Sequence, residues 1–187
     1  MTQHANVLEP DTTALLLIDV QERFRTALPD FEDMLAGCVR LARTFRTLDL
    51  PILITEQYPE GLGHIVDELN DILQLSGAPE KTAFSAYRCG EISEWLGPAG
   101  IRTVLVAGIE THVCVNQTVH DLLAEGYSAH VAVDAIASRK VSDRDIALRK
   151  IERSGGVITT TEMAAFELLG DATHLKFKEI QGIFKSR

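Results

Sequence analysis

The stretch Ala14-Leu15-Leu16-Leu17-Ile18 is an unbroken apolar run, and the acidic residue Asp19 follows it directly. A strand that is apolar at every position is buried on both faces, as in a parallel sheet covered by helices. Four more apolar runs predict strands at about residues 51–55, 103–107, 129–133 and 157–159. Between the strands, apolar residues recur at the three- and four-residue steps that mark one face of a helix.

This alternation of strands and helices predicts an α/β fold of three layers, Rossmann-like, with a mostly parallel sheet of about six strands. Helices are predicted at about residues 31–48, 115–123, 147–151, 163–169 and 177–184. Residues 59–78 have weak periodicity, and we interpret them as a loop with one short helix that covers the site. No linker-like segment divides the chain, so one domain over residues 1–187 is expected.

The composition excludes several partner classes. The chain has 18 Lys and Arg against 27 Asp and Glu, which gives a formal net charge of −9. Nucleic acids and anionic membranes attract clustered Lys and Arg, so neither is an expected partner. No apolar run is long enough to span a bilayer, and Met1 to Asp11 lacks the pattern of a signal peptide. Three cysteines are too few for a disulfide framework, which favours a reduced, cytoplasmic protein.

The three cysteines have different surroundings in the sequence. In parallel sheets the ligand site lies beyond the carboxyl ends of the strands. The residues at those ends are Asp19, 56–58, 108–114 and Asp134. Cys114 lies where a strand gives way to a helix, and a helix N-terminus lowers the pKa of a thiol, although a buried, inert cysteine is an equally open interpretation. Cys38 falls on the apolar stripe of the first helix and is expected in the core, whereas Cys89 receives no role.

Several other site types lack their motifs. A phosphotransferase of the haloacid-dehalogenase type needs Asp-x-Asp, but Gln21 stands where the second Asp belongs. A low-molecular-weight phosphatase needs an arginine where His120 stands. The chain has no Cys-x-x-Cys pair, no His-x-x-x-His pair and no glycine-rich nucleotide loop, so zinc, iron and nucleotide cofactors are not expected.

Three motifs, taken together, indicate a family. The chain contains, in this order, Leu16-Leu17-Ile18-Asp19-Val20-Gln21-Glu22-Arg23-Phe24, Lys81-Thr82-Ala83-Phe84-Ser85 and Gly108-Ile109-Glu110-Thr111-His112-Val113-Cys114-Val115. They resemble the isochorismatase-like cysteine hydrolases, which include nicotinamidases, N-carbamoylsarcosine amidases and isochorismatases. Residues 55–63 and 176–181 resemble the isochorismatase domain-containing proteins within that family. The resemblance covers about Thr13 to Lys185 and implies an isochorismatase-like hydrolase domain that self-associates into a homo-oligomer.

The resemblance implies a catalytic triad of Asp19, Lys81 and Cys114. The Cys114 thiolate would attack a small amide or related carbonyl compound and form a thioester. Asp19 would transfer the protons, and Lys81 would favour the charged forms of both partners. The backbone N–H groups of Glu110 and Cys114 would form an oxyanion hole, beside a non-proline cis peptide between Ile109 and Glu110.

The expected substrate contacts are Gln21, Phe24, Gln57, Tyr58 and Phe84, with core packing as the alternative for each aromatic ring. The metal ligands of nicotinamidases have no counterpart at residues 55–59, so neither a metal nor a cofactor is expected. Two other functions stay open. One is vinyl-ether hydrolysis of an isochorismate-like molecule, in which Asp19 donates the proton and the thiol is not needed. The other is a non-catalytic binding protein that retains the fold.

Overall fold

The structure, a computed structural model, describes His4 and residues 6–185, so the ends of the expected 1–187 domain and its residue 5 lie outside the described residues. It has a six-stranded sheet in the order β3-β2-β1-β4-β5-β6. The strands are β1 (Thr13–Ile18), β2 (Ile52–Gln57), β3 (Glu80–Lys81), β4 (Thr103–Ile109), β5 (Ser128–Ala137) and β6 (Val157–Thr159). The helices are α1 (Phe31–Thr47), α2 (Pro59–Leu62), α3 (Asp67–Leu73), α4 (Gly90–Leu96), α5 (Asn116–Ala124), α6 (Val141–Arg153), α7 (Thr161–Leu169) and α8 (Phe177–Lys185).

The predicted α/β class is confirmed, and all five strand pairings are parallel. Two local predictions were wrong, and two elements were not predicted. Residues 59–78 contain two helices, α2 and α3, rather than one, and α4 was not predicted. Asp134 lies inside β5 rather than beyond its end. The sixth strand, β3, is only two residues long, so it is too short for an apolar pattern. No described helix is long and apolar enough to cross a membrane.

The sheet separates two apolar cores, and β1 contributes to both. Leu15 and Leu17 pack in the core formed with α1, α3 and α7, whereas Leu16 and Ile18 pack in the core formed with α4, α5 and α6. Successive side chains of a strand point to opposite faces, so a continuous apolar run is what this position requires. Cys38 is completely buried in the first core, as predicted.

A bulge in β5 determines how far that strand reaches. Val106 pairs with Val131, but Gly108, two residues on, pairs with Ile136, so β5 gains three residues over β4 in this stretch. The bulge touches α1 closely, because a Cβ atom at Gly37 would overlap the carbonyl oxygen of Asp134. Glycine therefore permits the contact, and the lengthened β5 ends beside the carboxyl end of β4.

Candidate active site

The structure brings Asp19, Lys81 and Cys114 together at the carboxyl edge of the sheet. Asp19 follows β1, Lys81 ends β3, and Cys114 lies in a π-helical turn, Thr111–Val115, that follows β4. Nζ of Lys81 lies 2.7 Å from Oδ2 of Asp19, and the Cys114 thiol lies close enough to the Asp19 carboxylate for each group to shift the pKa of the other. Residues far apart in the chain thus form one polar cluster, where parallel α/β folds bind their ligands.

The Asp19 carboxylate is fixed on both oxygens. Oδ1 accepts a hydrogen bond of 2.8 Å from the hydroxyl of Thr55, and Oδ2 accepts from Lys81. The backbone of Asp19 has a φ of 54°, a left-handed conformation that Asp tolerates better than most residues. Thr55 lies in β2 and pairs with Ile18, the last residue of β1, but the sequence analysis did not identify it as a site residue.

Lys81 has enough acceptors for all its N–H groups. Besides Asp19, its Nζ atom donates to Oε1 of Gln57 at 2.7 Å and to the carbonyl oxygens of Phe84 and Ala83 at 3.1 and 3.3 Å. The lysine therefore connects the carboxylate to the end of β2 and to the loop after β3. Burial raises the pKa of Asp19, while the Lys81 charge and the hydrogen bonds from Lys81, Thr55 and Cys114 oppose that rise.

Cys114 is a protonated thiol in this environment. The side chain is buried, and burial together with the nearby Asp19 charge raises the pKa of the thiol to about 12. Lys81 and the backbone N–H of Glu110 act in the opposite direction but are the weaker influences. The expectation that the helix start would lower this pKa was therefore wrong, because desolvation and a neighbouring carboxylate outweigh it.

The segment of residues 109–115, called the Cys114 turn below, has a specific backbone geometry. The peptide bond between Ile109 and Glu110 is cis. The Glu110 carbonyl accepts from the N–H groups of Val113 and Val115, at 3.0 and 3.2 Å. The backbone N–H of Glu110 is close enough to the Cys114 sulfur to lower the pKa of that thiol. Just before the turn, Gly108 has a φ of 110°, where a side chain would overlap the carbonyl oxygen of Ile18.

The five expected substrate contacts fall into two groups. Gln21 is completely buried, and its amide binds the backbone of Gln57 at both N and O. The Gln57 amide is itself engaged, since it accepts from Lys81 and donates to the Thr82 carbonyl. Phe24 packs against the core on the α1 side. These three side chains therefore contact other parts of the protein, and their expected contact with the substrate stays a prediction.

Tyr58 and Phe84 are the two expected substrate contacts whose aromatic rings are exposed to solvent. Each is 53% exposed. Both flank Lys81, because the Tyr58 N–H donates to the Lys81 carbonyl at 3.0 Å and the Phe84 carbonyl accepts from Lys81 Nζ. Among the described residues, no group of three or more His, Cys, Asp or Glu side chains is arranged to hold a metal ion.

An all-parallel sheet between two helical layers, with its polar cluster at the carboxyl edge, defines a Rossmann-like α/β protein. Residues 13–163 match the isochorismatase domain model. The chain belongs to the isochorismatase family and has its hydrolase fold.

Individual relatives agree with this assignment. The isochorismatase domain-containing protein 1 of Salmo salar is 41% identical over 182 residues, which cover 96% of this chain and 63% of the salmon protein. This chain thus spans less than two thirds of that relative's length. The structure of the MAR1 ribonuclease from Caenorhabditis elegans has a TM-score of 0.88 at 37% identity, covering 96% of this chain and 93% of the nematode chain. The YcaC gene product of Escherichia coli, described as an octameric hydrolase of unknown specificity, shares the fold alone, with a TM-score of 0.83 at 21% identity over 99% of this chain and 98% of its own.

Proposed function

We propose that this protein is a cysteine-dependent hydrolase that cleaves a small amide or related carbonyl compound through a thioester on Cys114. The observation that carries the proposal is the buried Asp19–Lys81 ion pair, with the Cys114 thiol beside the same carboxylate. A thiol, a proton acceptor and a compensating cation are the groups that nucleophilic attack on a carbonyl needs. The reaction uses side chains and backbone groups of the chain, and no cofactor.

The first half-reaction forms the thioester. The Cys114 sulfur attacks the carbonyl carbon as Asp19 takes the thiol proton, so no free thiolate has to accumulate at a pKa of about 12. The oxygen of the tetrahedral intermediate binds the backbone N–H groups of Glu110 and Cys114. The C–N bond then breaks, and the leaving nitrogen takes the proton from Asp19 and departs as ammonia or an amine.

The second half-reaction restores the enzyme. Water attacks the thioester carbon and gives a proton to Asp19. The C–S bond breaks, the sulfur recovers the proton, and a carboxylic acid leaves. Lys81 takes no part in these proton transfers and stabilises Asp19 whenever that group is ionised.

The charges around the site favour a neutral substrate over an isochorismate-like one. Isochorismate carries two carboxylates, and recognising them requires free cationic donors. Lys81 already donates to Asp19, Gln57 and two carbonyl groups. The rings of Tyr58 and Phe84 then provide an apolar rim for a small neutral molecule.

The test is a panel of small amides and ureas assayed for ammonia release, with Cys114→Ala as the control. We expect at least one compound to be hydrolysed by the natural chain and left intact by Cys114→Ala. Isochorismate is assayed in parallel. Turnover of isochorismate that survives in Cys114→Ala would support the vinyl-ether alternative instead. A panel with no turnover, together with stoichiometric binding of a tested compound, would support the non-catalytic alternative.

The remaining expectations belong to the same proposal. The nematode protein is named a ribonuclease, whereas this chain's net charge of −9 argues against RNA as its substrate. Incubation with labelled RNA is expected to leave the RNA intact.

We also propose a single domain that forms a homo-oligomer, as the octameric Escherichia coli protein does, and light scattering after gel filtration measures this. Three free cysteines suit the reducing cytoplasm.

A further inference from the structure

The proposed reaction does not use the Glu110 side chain, yet that side chain belongs to a set of contacts around the Cys114 turn. Three consecutive residues of the turn are each hydrogen-bonded to one of three consecutive residues, of which the first ends β5 and the other two follow it. The pairs are Glu110 with Arg139, Thr111 with Ala137, and His112 with Ser138. The bulge in β5 makes this possible, because it brings Ala137 into register with Ile109.

The pair of Glu110 and Arg139 is the charged member of this set. Oε1 of Glu110 accepts from the backbone N–H of Arg139 at 3.1 Å and from its Nε at 3.0 Å. The Glu110 side chain is 9% exposed and the Arg139 side chain 62% exposed. A carboxylate buried to this degree needs its partners, whereas the exposed guanidinium is free to be varied without creating a cavity.

Two functional groups belong to the same residue. The carboxylate of Glu110 is anchored to Arg139, and its backbone carbonyl accepts from the N–H groups of Val113 and Val115, on either side of Cys114. Its backbone N–H is close enough to the Cys114 sulfur to oppose the rise in the pKa of that thiol. Fixing the side chain limits rotation of the backbone that carries this N–H. The anchor thus acts on the group expected to contact the nucleophile and the oxyanion.

We propose that Glu110 is a positioning residue whose carboxylate, held by Arg139, orients its own backbone N–H toward the Cys114 sulfur. The inference rests on the proposed function, since it takes Cys114 as the nucleophile. A residue with a structural role alone would act differently. Loss of stability exposes buried thiols and speeds their alkylation, whereas loss of the oriented N–H slows alkylation at Cys114 alone.

The experiment measures alkylation of each cysteine by iodoacetamide at pH 8, read by mass spectrometry of the peptides. Iodoacetamide is itself a small amide, and its reaction requires no turnover. The variants are Glu110→Gln, Arg139→Gln and the double substitution. The matched control is Arg88→Gln, which removes an ion pair of 2.7 Å with Asp121 from an arginine side chain that is 65% exposed.

We expect alkylation of Cys114 to slow by about tenfold in Glu110→Gln, with a smaller loss in Arg139→Gln because the backbone N–H of Arg139 remains. The double variant should match Glu110→Gln, since Arg139 acts through Glu110. Cys89 in the Glu110 and Arg139 variants, and Cys114 in Arg88→Gln, should react at the natural rate.

Unchanged or faster alkylation of Cys114 in Glu110→Gln, or losses that multiply in the double variant, would overturn the inference. If Glu110→Gln does not fold, Arg139→Gln decides alone, and an unchanged Cys114 rate there rejects the inference. Hydrolysis that persists in Cys114→Ala would overturn the proposed function. Hydrolysis is measured separately from the alkylation rates, so the two failures can be distinguished.

Discussion

Nζ of Lys81 lies 2.7 Å from Oδ2 of Asp19, and each of the two side chains is 1% exposed. An ion pair this deeply buried loses its hydration, so each charge depends on the other. Removing one partner leaves an uncompensated charge in the interior, whereas removing both does not. The pair is therefore tested by comparing single and double substitutions.

Lys81→Met should lower the free energy of unfolding by about 3–5 kcal/mol, because the Asp19 carboxylate loses its partner. Adding Asp19→Asn to Lys81→Met should recover part of that loss. Urea unfolding of the natural chain and three variants measures the coupling. Additive effects of the two substitutions would show that the pair does not act as a unit. Hydrolysis should be absent from all three variants.

Asp19→Asn should have opposite effects on hydrolysis and on thiol reactivity. Asp19 raises the pKa of the Cys114 thiol and Lys81 lowers it, so neutralising Asp19 leaves the influence of the lysine unopposed. We expect alkylation of Cys114 by iodoacetamide to quicken by about tenfold or more at pH 8. Hydrolysis should disappear because the proton acceptor is gone. Slower alkylation of Cys114 in this variant would contradict the influence assigned to Asp19. The alkylation rate of Cys89 serves as the internal control.

His130 should make the protein less stable in mild acid. The residue is completely buried on β5, and neither ring nitrogen has a hydrogen-bond partner in the described part of the chain. Burial lowers the pKa of His130 to about 4, so the unfolded chain binds the proton more readily. Stability that is complete above the unfolded pKa, near 6.5, should therefore be lost as the pH falls toward 4, by up to about 3 kcal/mol.

The measurement for His130 is urea unfolding at several pH values between 4 and 7. In His130→Leu this part of the pH dependence should be absent. The exposed His174, changed to Gln, is the matched control and should keep the natural pH dependence. An identical pH profile in His130→Leu and the natural chain would reject the interpretation.

Gly37→Ala should destabilise the protein although alanine favours helices. The added Cβ would overlap the carbonyl oxygen of Asp134 in the β5 bulge, so α1 or the bulge has to move. A loss of about 1–3 kcal/mol in urea unfolding is expected for such overpacking. Gly182→Ala in α8 is the matched control, because nothing lies within 4 Å of its added Cβ. That change should stabilise by about 0.5–1 kcal/mol, and equal effects at both sites would contradict the prediction.

The apolar runs made most of the sheet predictable, because a strand buried on both faces leaves an unambiguous pattern. Strand β3 left none, since Glu80 and Lys81 join the sheet through backbone pairing with β2. Asp134 was misplaced for a related reason. A bulge depends on contacts with another element, here α1 at Gly37, and the sequence of β5 alone does not show them.

The site was predicted less completely than the fold. The motifs around Asp19, Lys81 and Cys114 indicated which residues meet. The position of Cys114 at a helix start gave the wrong direction for its pKa, because burial is a property of the assembled structure. The contact of the Glu110 side chain with Arg139 joins residues 29 positions apart and had no signal in the sequence.

Because successive side chains of β1 pack in opposite cores, the length of this strand also determines where Asp19 lies. Asp19 is its next residue, so the carboxylate reaches Lys81 and Cys114 only if β1 keeps its length and register. Inserting one residue would exchange every side chain between the two cores and shift the carboxylate by about 3.3 Å along the strand. Evolution can therefore vary the loops around the site, whereas the count of residues from Thr13 to Asp19 is fixed by packing and chemistry together.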